Sequence, residues 1–206
     1  MMGVWILGAR GQAKVVIDSI RSARGHEIEG ILDDDASLHG RSLLGIAIQG
    51  PITPESIDRL RIRHAVIAIG SNQAREQIAE RLSGRVGWPT VVHPRASLAC
   101  GVVLGEGTVV FAGAVIQPDA TIGRHVIINT CCSVDHECLV GDFAHIAPGA
   151  HLAGNCEVGA GALLGIGCSV IPGRTIGAGA VVGAGAAVVS DIPPRVTAVG
   201  VPARWS

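Results

Sequence analysis

Two patterns of apolar positions divide this chain. Up to about residue 92, short apolar runs alternate with stretches of helical spacing. Val4, Trp5, Ile6 and Leu7 read as a buried strand that Gly8 closes. Over residues 12–24, Ala13, Val16, Ile17 and Ile20 recur at the spacing of one helix face. Residues 29–32 read as a second strand running into Asp33, Asp34 and Asp35. Residues 65–69 read as a third, closed by Gly70, Ser71 and Asn72, with a helix over 73–82 after it. Strands alternating with helices predict a small parallel α/β sheet of Rossmann-like kind.

From residue 93 the period changes. Every sixth residue from Leu98 to Val188 is Leu, Ile or Val, without one insertion. Four residues after the aliphatics from Leu98 to Val182, a second slot holds mostly Ala, Cys or Thr; Val102, Val126 and Arg174 are the exceptions. A period of six is a short strand plus a turn. Three such units close one triangular coil, so residues 93–206 read as a parallel β-helix, with the aliphatics stacked inside and the small slot at the narrow corners. The expected domains are therefore 1–92 and 93–206.

Charge follows the same division: residues 1–92 hold 11 of the 16 Lys and Arg and 10 of the 17 acids. The net charge of −1 leaves no electrostatic footprint for nucleic acid or anionic membrane. Aromatics are 2% with no Tyr, which argues against a base-stacking surface. No apolar run reaches the roughly 18 residues of a membrane span. The apolar start runs into Gly8, Arg10 and Lys14 with no cleavage-like site, so it reads as a first strand and not a signal peptide. A reducing cytoplasm is the expected compartment, which disfavours disulfides among the six Cys. Cys132, Cys138, Cys156 and Cys168 occupy the small inward slot, where a thiol acts as a small hydrophobe. Cys100 and Cys131 fall off that slot and have no role assigned by it. No metal is expected, because the Cys nearest the candidate histidines are assigned inward.

With the ladder residues set aside, Asp135, His136 and Glu137 stand out at one turn that elsewhere carries small or mildly polar residues. Imidazole, with an ordinary pKa near ~6.5, can take a proton at neutral pH from an attacking amine or alcohol. A neighbouring carboxylate orients the ring and stabilises imidazolium, and either Glu137 or Asp135 can serve. Adjacent side chains on a regular strand diverge, so the pairing requires a turn. His145 lies half a coil further on and cannot stack above His136 within one subunit; it could meet His136 across a subunit interface. The alternative is that His136, His145 and His151 are only surface polar residues.

Further motifs carry a resemblance. They are Gly8-Ala9-Arg10-Gly11-Gln12-Ala13-Lys14, Leu32-Asp33-Asp34, Ile69-Gly70-Ser71-Asn72, Val92-His93-Pro94, Asn129-Thr130, His136-Glu137, Gly141, His145, Asp191-Ile192-Pro193-Pro194 and Gly200-Val201-Pro202-Ala203-Arg204. Together they span nearly the whole chain. The set resembles the left-handed β-helix acyltransferases of the hexapeptide-repeat class. Within them it is similar to the bacterial enzymes that N-acetylate nucleotide-linked 4-amino sugars and the related sialic acid O-acetyltransferases. The left hand of the coil is taken from this resemblance.

The resemblance implies a nucleotide-linked amino sugar in the first domain, at Gly8, Arg10, Gly11, Gln12, Asp33, Asp34, Gly70 and Asn72. It implies acetyl-CoA as co-substrate, lying between subunits of a homotrimer near His145, Gly154, Ile166, Gly183, Ala184 and Arg204. His136 becomes the general base and Glu137 its support. One departure is Gln12, where the family commonly has His; Gln hydrogen-bonds a sugar but takes no proton at neutral pH.

The G-x-G-x-x-G dinucleotide fingerprint is not met, since Arg10 occupies its second Gly position. Asp33, Asp34 and Asp35 suit ribose or base donors, or form a solvated loop. The leading expectation is N-acetylation of a 4-amino sugar. O-acetylation of a sialic-acid-like hydroxyl and a non-catalytic scaffold are the alternatives. The sialic acid reading is one that only substrates separate, whereas a scaffold has no need of a base at one turn.

Overall fold

The structure is a computed structural model that describes residues 2–205. The chain divides between Pro94 and Arg95 into two compact units.

The first unit runs β1 (Met2–Leu7), α1 (Gly11–Ala23), β2 (His26–Leu32), a 3-10 turn (Ala36–Leu38), a hairpin of β3 (Ser42–Leu43) and β4 (Ile46–Ala47), α2 (Pro54–Leu60), β5 (Ala65–Ile67) and α3 (Asn72–Arg81). Its parallel sheet has the order β2-β1-β5. Alternation along β1 explains the two layers. Trp5 and Leu7 join a core with Leu32, Ile57, Ile78 and Leu82. Val4 and Ile6, also buried, are left for the side on which α1 packs Ala13, Val16, Ile17 and Ile20. The expected third strand is shorter than its apolar run. It ends at Ile67, and residues 68–70 leave the sheet. Helix α2 is an element the periodicity did not predict. Its seven residues are too few for a helical repeat, but Thr53 caps it by accepting from Ser56 N, and Pro54 opens it.

The second unit is a left-handed parallel β-helix of about six turns. Its two-residue strands stack into three faces. The first face contains Ser97–Leu98, Val115–Ile116, Ser133–Val134, His151–Leu152, Ser169–Val170 and Ala187–Val188. The second contains Val103–Leu104, Thr121–Ile122, Leu139–Val140, Glu157–Val158 and Thr175–Ile176. The third includes Val109–Val110, Ile127–Ile128, His145–Ile146, Leu163–Leu164, Val181–Val182 and Thr197–Ala198. Backbone bonds tie each coil to the next, as in Ser133 N to Ala150 O at 3.0 Å and Asp135 N to Leu152 O at 3.1 Å.

Every sixth-position aliphatic from Val110 to Val188 is buried, so the ladder forms the core. Leu98 and Leu104, in the first coil, are not fully covered. The small slot is closed by Ala and Cys. Arg174, an exception to that slot, turns outward instead: its guanidinium lies 3.5 Å from Asp191 Oδ1. Thr108 takes the slot by internal bonding. Its hydroxyl donates to Gly123 O at 2.7 Å and accepts from Val126 N at 3.0 Å.

Candidate active site

The corner between the first and second faces repeats every coil, and its third residue sits at positive φ: Gly101, Asp119, Glu137, Asn155 and Gly173. Left-handed backbone there reverses the chain in a single residue. At Glu137 (φ 57°) it also turns the carboxylate back onto the preceding side chain. His136 Nδ1 lies 3.1 Å from Glu137 Oε2. Asn155, in the next coil, donates its amide to the same oxygen at 3.3 Å. Asp135 is engaged elsewhere, its Oδ1 accepting from His136 N at 2.8 Å. Of the two carboxylates that sequence left open, Glu137 is the one on the ring.

This pairing assigns the proton. With the carboxylate accepting, the neutral ring carries its hydrogen on Nδ1 and its lone pair on Nε2. The His136 side chain is 52% exposed, so the ring is within reach of a substrate. The ring packs against Gly154, at the equivalent corner position of the next coil. A Cβ at 154 would collide with Cε1 and Nε2 of His136. Gly154 thus belongs to the His136 corner.

The other positions assigned to acetyl-CoA lie elsewhere on the coil. Ile166, Gly183 and Ala184 occupy the corner between the third and first faces, with the Ile166 side chain 62% exposed. His145 begins a strand of the third face, and its Nε2 lies 3.0 Å from Asn129 Nδ2. Arg204 is exposed in the C-terminal turn, where its guanidinium donates to Ala203 O at 2.9 Å. Within one chain these residues are not brought to His136.

The thiols stay in the wall. Cys132, Cys138, Cys156 and Cys168 are buried. Burial pushes Cys132 up to about 12 and Cys168 to about 11. A hydrogen bond with Cys156, together with burial, raises Cys138 as well. Cys131, unexplained by the ladder, takes a left-handed corner position (φ 55°) and is exposed. Among the described residues, no group of three or more His, Cys, Asp or Glu is arranged to hold a metal ion.

In the first unit, the loops following β1, β2 and β5 surround a cavity of about 420 Å³. Gly8, Arg10, Gln12, Asp33, Asp34 and Gly70 line it, whereas Gly11 and Asn72 are not among its lining residues. Gly11 is the first residue of α1, and Asn72 Oδ1 accepts from the buried Arg75 at 2.9 Å. Arg75 also donates to Ile69 O and Gly70 O, which holds the cavity's third loop in place; burial pulls its guanidinium down to about 10.

The acids divide their roles. Asp33 is nearly buried. It accepts from Ala9 N at 2.6 Å and Asp35 N at 2.8 Å, which ties the first loop to the second. Asp35 pairs with Arg10 at 2.7 Å, and the Ser37 hydroxyl and N–H hold its carboxyl below the usual range. Asp34 accepts from Ile52 N at 2.8 Å and Arg81 at 3.1 Å while remaining half exposed. These bonds order the acidic loop, with Asp34 its most exposed carboxylate. Gln12 Nε2 is buried at the cavity wall with no hydrogen-bond partner.

Sequence reasoning did not single out Ile52 and Ala68, which also line this cavity. Residue 68 read as strand interior, and Ile52 precedes a helix that went unpredicted.

Three comparisons bear on this arrangement. Residues 3–82 match the family described as PglD N-terminal domain. UDP-N-acetylbacillosamine N-acetyltransferase of Bacillus subtilis (strain 168) is 41% identical over 119 residues, 54% of this chain and 52% of that protein. The match thus spans about half the length of that curated relative. A mutant of perosamine N-acetyltransferase from Caulobacter crescentus, solved with CoA and GDP-perosamine, superposes with a TM-score of 0.94 at 40% identity, over 100% of this chain and 97% of that one. The acetyltransferase domain of PglB from Neisseria gonorrhoeae FA1090, solved with acetyl coenzyme A, gives 0.91 at 33% identity over 99% of this chain and 98% of that one. With such identity over the full length of both units, this chain belongs to the hexapeptide-repeat family of nucleotide-sugar N-acetyltransferases.

Proposed function

We propose that the chain transfers the acetyl group of acetyl-CoA to the 4-amino group of a nucleotide-linked sugar, with His136 as general base. The observation that carries this reading is the His136–Glu137 pair, with the half-exposed imidazole held against Gly154. A neutral amine attacks the thioester carbonyl; the new C–N bond forms as the C–S bond breaks. The nitrogen must then lose a proton, which His136 Nε2 takes. Glu137, fixed by Asn155, stabilises the resulting imidazolium. The proton can then pass to the departing CoA thiolate, which balances the step.

The relatives are named as N-acetyltransferases, which favours an amine acceptor over the sialic-acid-like hydroxyl. Their sugars are carried on both GDP and UDP, so family membership leaves the base open. The nucleotide sugar is assigned to the cavity of the first unit. Ile166, Gly183, Ala184, His145 and Arg204 are assigned to acetyl-CoA, together with Gly154. Because these residues mostly stand away from His136 within one chain, the reading includes a homotrimer in which a neighbouring copy supplies them. A cytoplasmic site and a place in polysaccharide biosynthesis agree with substrates drawn from acetyl-CoA and nucleotide-sugar pools. No helix among the described residues is long and apolar enough to cross a membrane.

The test is a mass-resolved assay in which protein and acetyl-CoA meet GDP-, UDP- and dTDP-linked 4-amino sugars beside sialic acids. A gain of one acetyl on an amino sugar is expected. Product on sialic acid alone overturns the N-acetyltransferase reading.

A further inference from the structure

The cavity has a side chamber. A second hollow of about 250 Å³ is lined by Ala74, Gln77, Ile78 and Arg81 of α3, and it shares Asp34 and Ile69 with the main cavity. Asp34 and Arg81 therefore form a polar ridge where the two spaces join, over apolar surface from Ile69 and Ile78. Both side chains are accessible, at 52% for Asp34 and 39% for Arg81. Asp33 and Asp34 each take one hydrogen bond on either oxygen, but Asp33 is nearly buried whereas the Asp34 side chain is 52% exposed, so the second lone pair of each Asp34 oxygen is within a ligand's reach.

The ridge presents a particular edge. Arg81 offers donors beside the acceptors of Asp34, 3.1 Å apart. Guanine carries the complement: O6 accepts, and N1–H and the N2 amino group are two adjacent donors. A carboxylate can receive both donors while a guanidinium reaches O6. Uracil and thymine have one donor, N3–H, between two carbonyl oxygens, so a second carboxylate oxygen would face an acceptor and be repelled. Adenine has its amino donor beside the acceptor N1, which meets the carboxylate unfavourably. Aliphatic side chains beside the ridge suit the face of a ring, and the hollow of about 250 Å³ has room for two fused ones.

We propose that Asp34 and Arg81 are specificity-determining residues that select guanine as the base of the nucleotide-linked substrate. This rests on the nucleotide-sugar reading above, and it fixes the base, which family membership leaves open.

The experiment is calorimetric titration of the full chain with free GDP, UDP, dTDP and ADP. GDP should bind about tenfold or more tighter than the others, in keeping with the discrimination of a good bidentate contact. Asp34→Asn places a donor against N1–H and N2–H while keeping an acceptor for Ile52 N. It should lower GDP affinity about 10- to 100-fold and leave UDP nearly unchanged. Arg81→Gln is the second variant and should lower GDP affinity more than UDP affinity. Equal or tighter binding of UDP or dTDP overturns the proposal, as does a GDP preference that survives both variants. Acetylation of the same 4-amino sugar on GDP and on UDP separates the two readings. Product from the UDP sugar alone overturns guanine selection and keeps the acetyltransferase. No product from either, with the GDP preference intact, overturns the acetyltransferase and keeps the base.

Discussion

Glu137 Oε2 stands 3.1 Å from His136 Nδ1 although the two residues are adjacent in sequence, because Glu137 adopts φ 57° at the corner. On an extended strand the two side chains would point apart. His136→Ala should lower turnover about 10²- to 10⁴-fold, the usual worth of general base catalysis. Glu137→Gln should lower it less, since Nδ1–H can still donate to an amide oxygen. Both side chains are more than half exposed, so thermal stability should stay near that of the parent. Steady-state kinetics beside a melting curve checks this, and an unimpaired His136→Ala would remove the residue from the mechanism.

The same corner makes Gly154 a sensitive position. A methyl there would meet the His136 ring, which has space to swing outward. Gly154→Ala should therefore leave the melting temperature nearly unchanged and lower the turnover number about tenfold or more, by displacing Nε2 from its place. Matched activity and melting measurements separate this from a folding defect; full activity would show that the ring position is not fixed by Gly154.

Asp33 behaves as a structural carboxylate. Asp33→Ala strips the acceptor from Ala9 N and Asp35 N, and a buried donor left unpaired costs about 1–3 kcal/mol. The variant should unfold at lower denaturant and bind nucleotide sugar more weakly, with acetyl-CoA affinity unchanged. Equal weakening of both ligands by calorimetry would reject the assignment of the nucleotide sugar to this cavity.

Gln12 carries the opposite trade. Its Nε2 is buried without a partner, so Gln12→Met removes an unmet donor and should hold or raise the melting temperature of the ligand-free protein. Nucleotide-sugar affinity should fall several-fold as the amide is lost. Titrating the nucleoside diphosphate beside the nucleotide sugar shows whether the amide serves a phosphate or a sugar oxygen. Unchanged affinity for both would remove Gln12 from the binding surface.

Stability at alkaline pH follows from the buried thiols. Unfolded thiols ionise near the ordinary 9.0, whereas Cys132 is raised to about 12 and Cys168 to about 11. A raised folded pKa stabilises fully below pH ~9, and that stability declines as pH climbs toward 11–12. Melting temperature should thus fall between pH 9 and 10.5. The fall should be shallower in a Cys132→Ala, Cys168→Ala double variant, since Ala fills the same slot in other coils. Identical slopes for the two proteins would contradict it.

The sequence by itself determined the coil. A period of six is a local property, since each strand and turn is specified within its own unit, and Val110 to Val188 went inside without exception. It also determined five α/β elements, three strands and two helices, whose apolar positions are numerous enough to read, and it marked His136 as a chemical departure from an otherwise bland turn. The tertiary structure decided what depends on residues a coil or a loop apart. Backbone φ at the corner chose Glu137 over Asp135 for the imidazole, and the 18-residue stacking placed Gly154 against the ring. In the first unit the loops closing three strands met, so Asp33 was nearly buried on backbone N–H groups while Asp34, held by Ile52 N and Arg81, stayed half exposed at the cavity. Three adjacent Asp look alike in sequence. Their roles separate only when the chain brings Ala9, Ile52 and Arg81 to them, because a carboxylate's role is set by the donors that reach it.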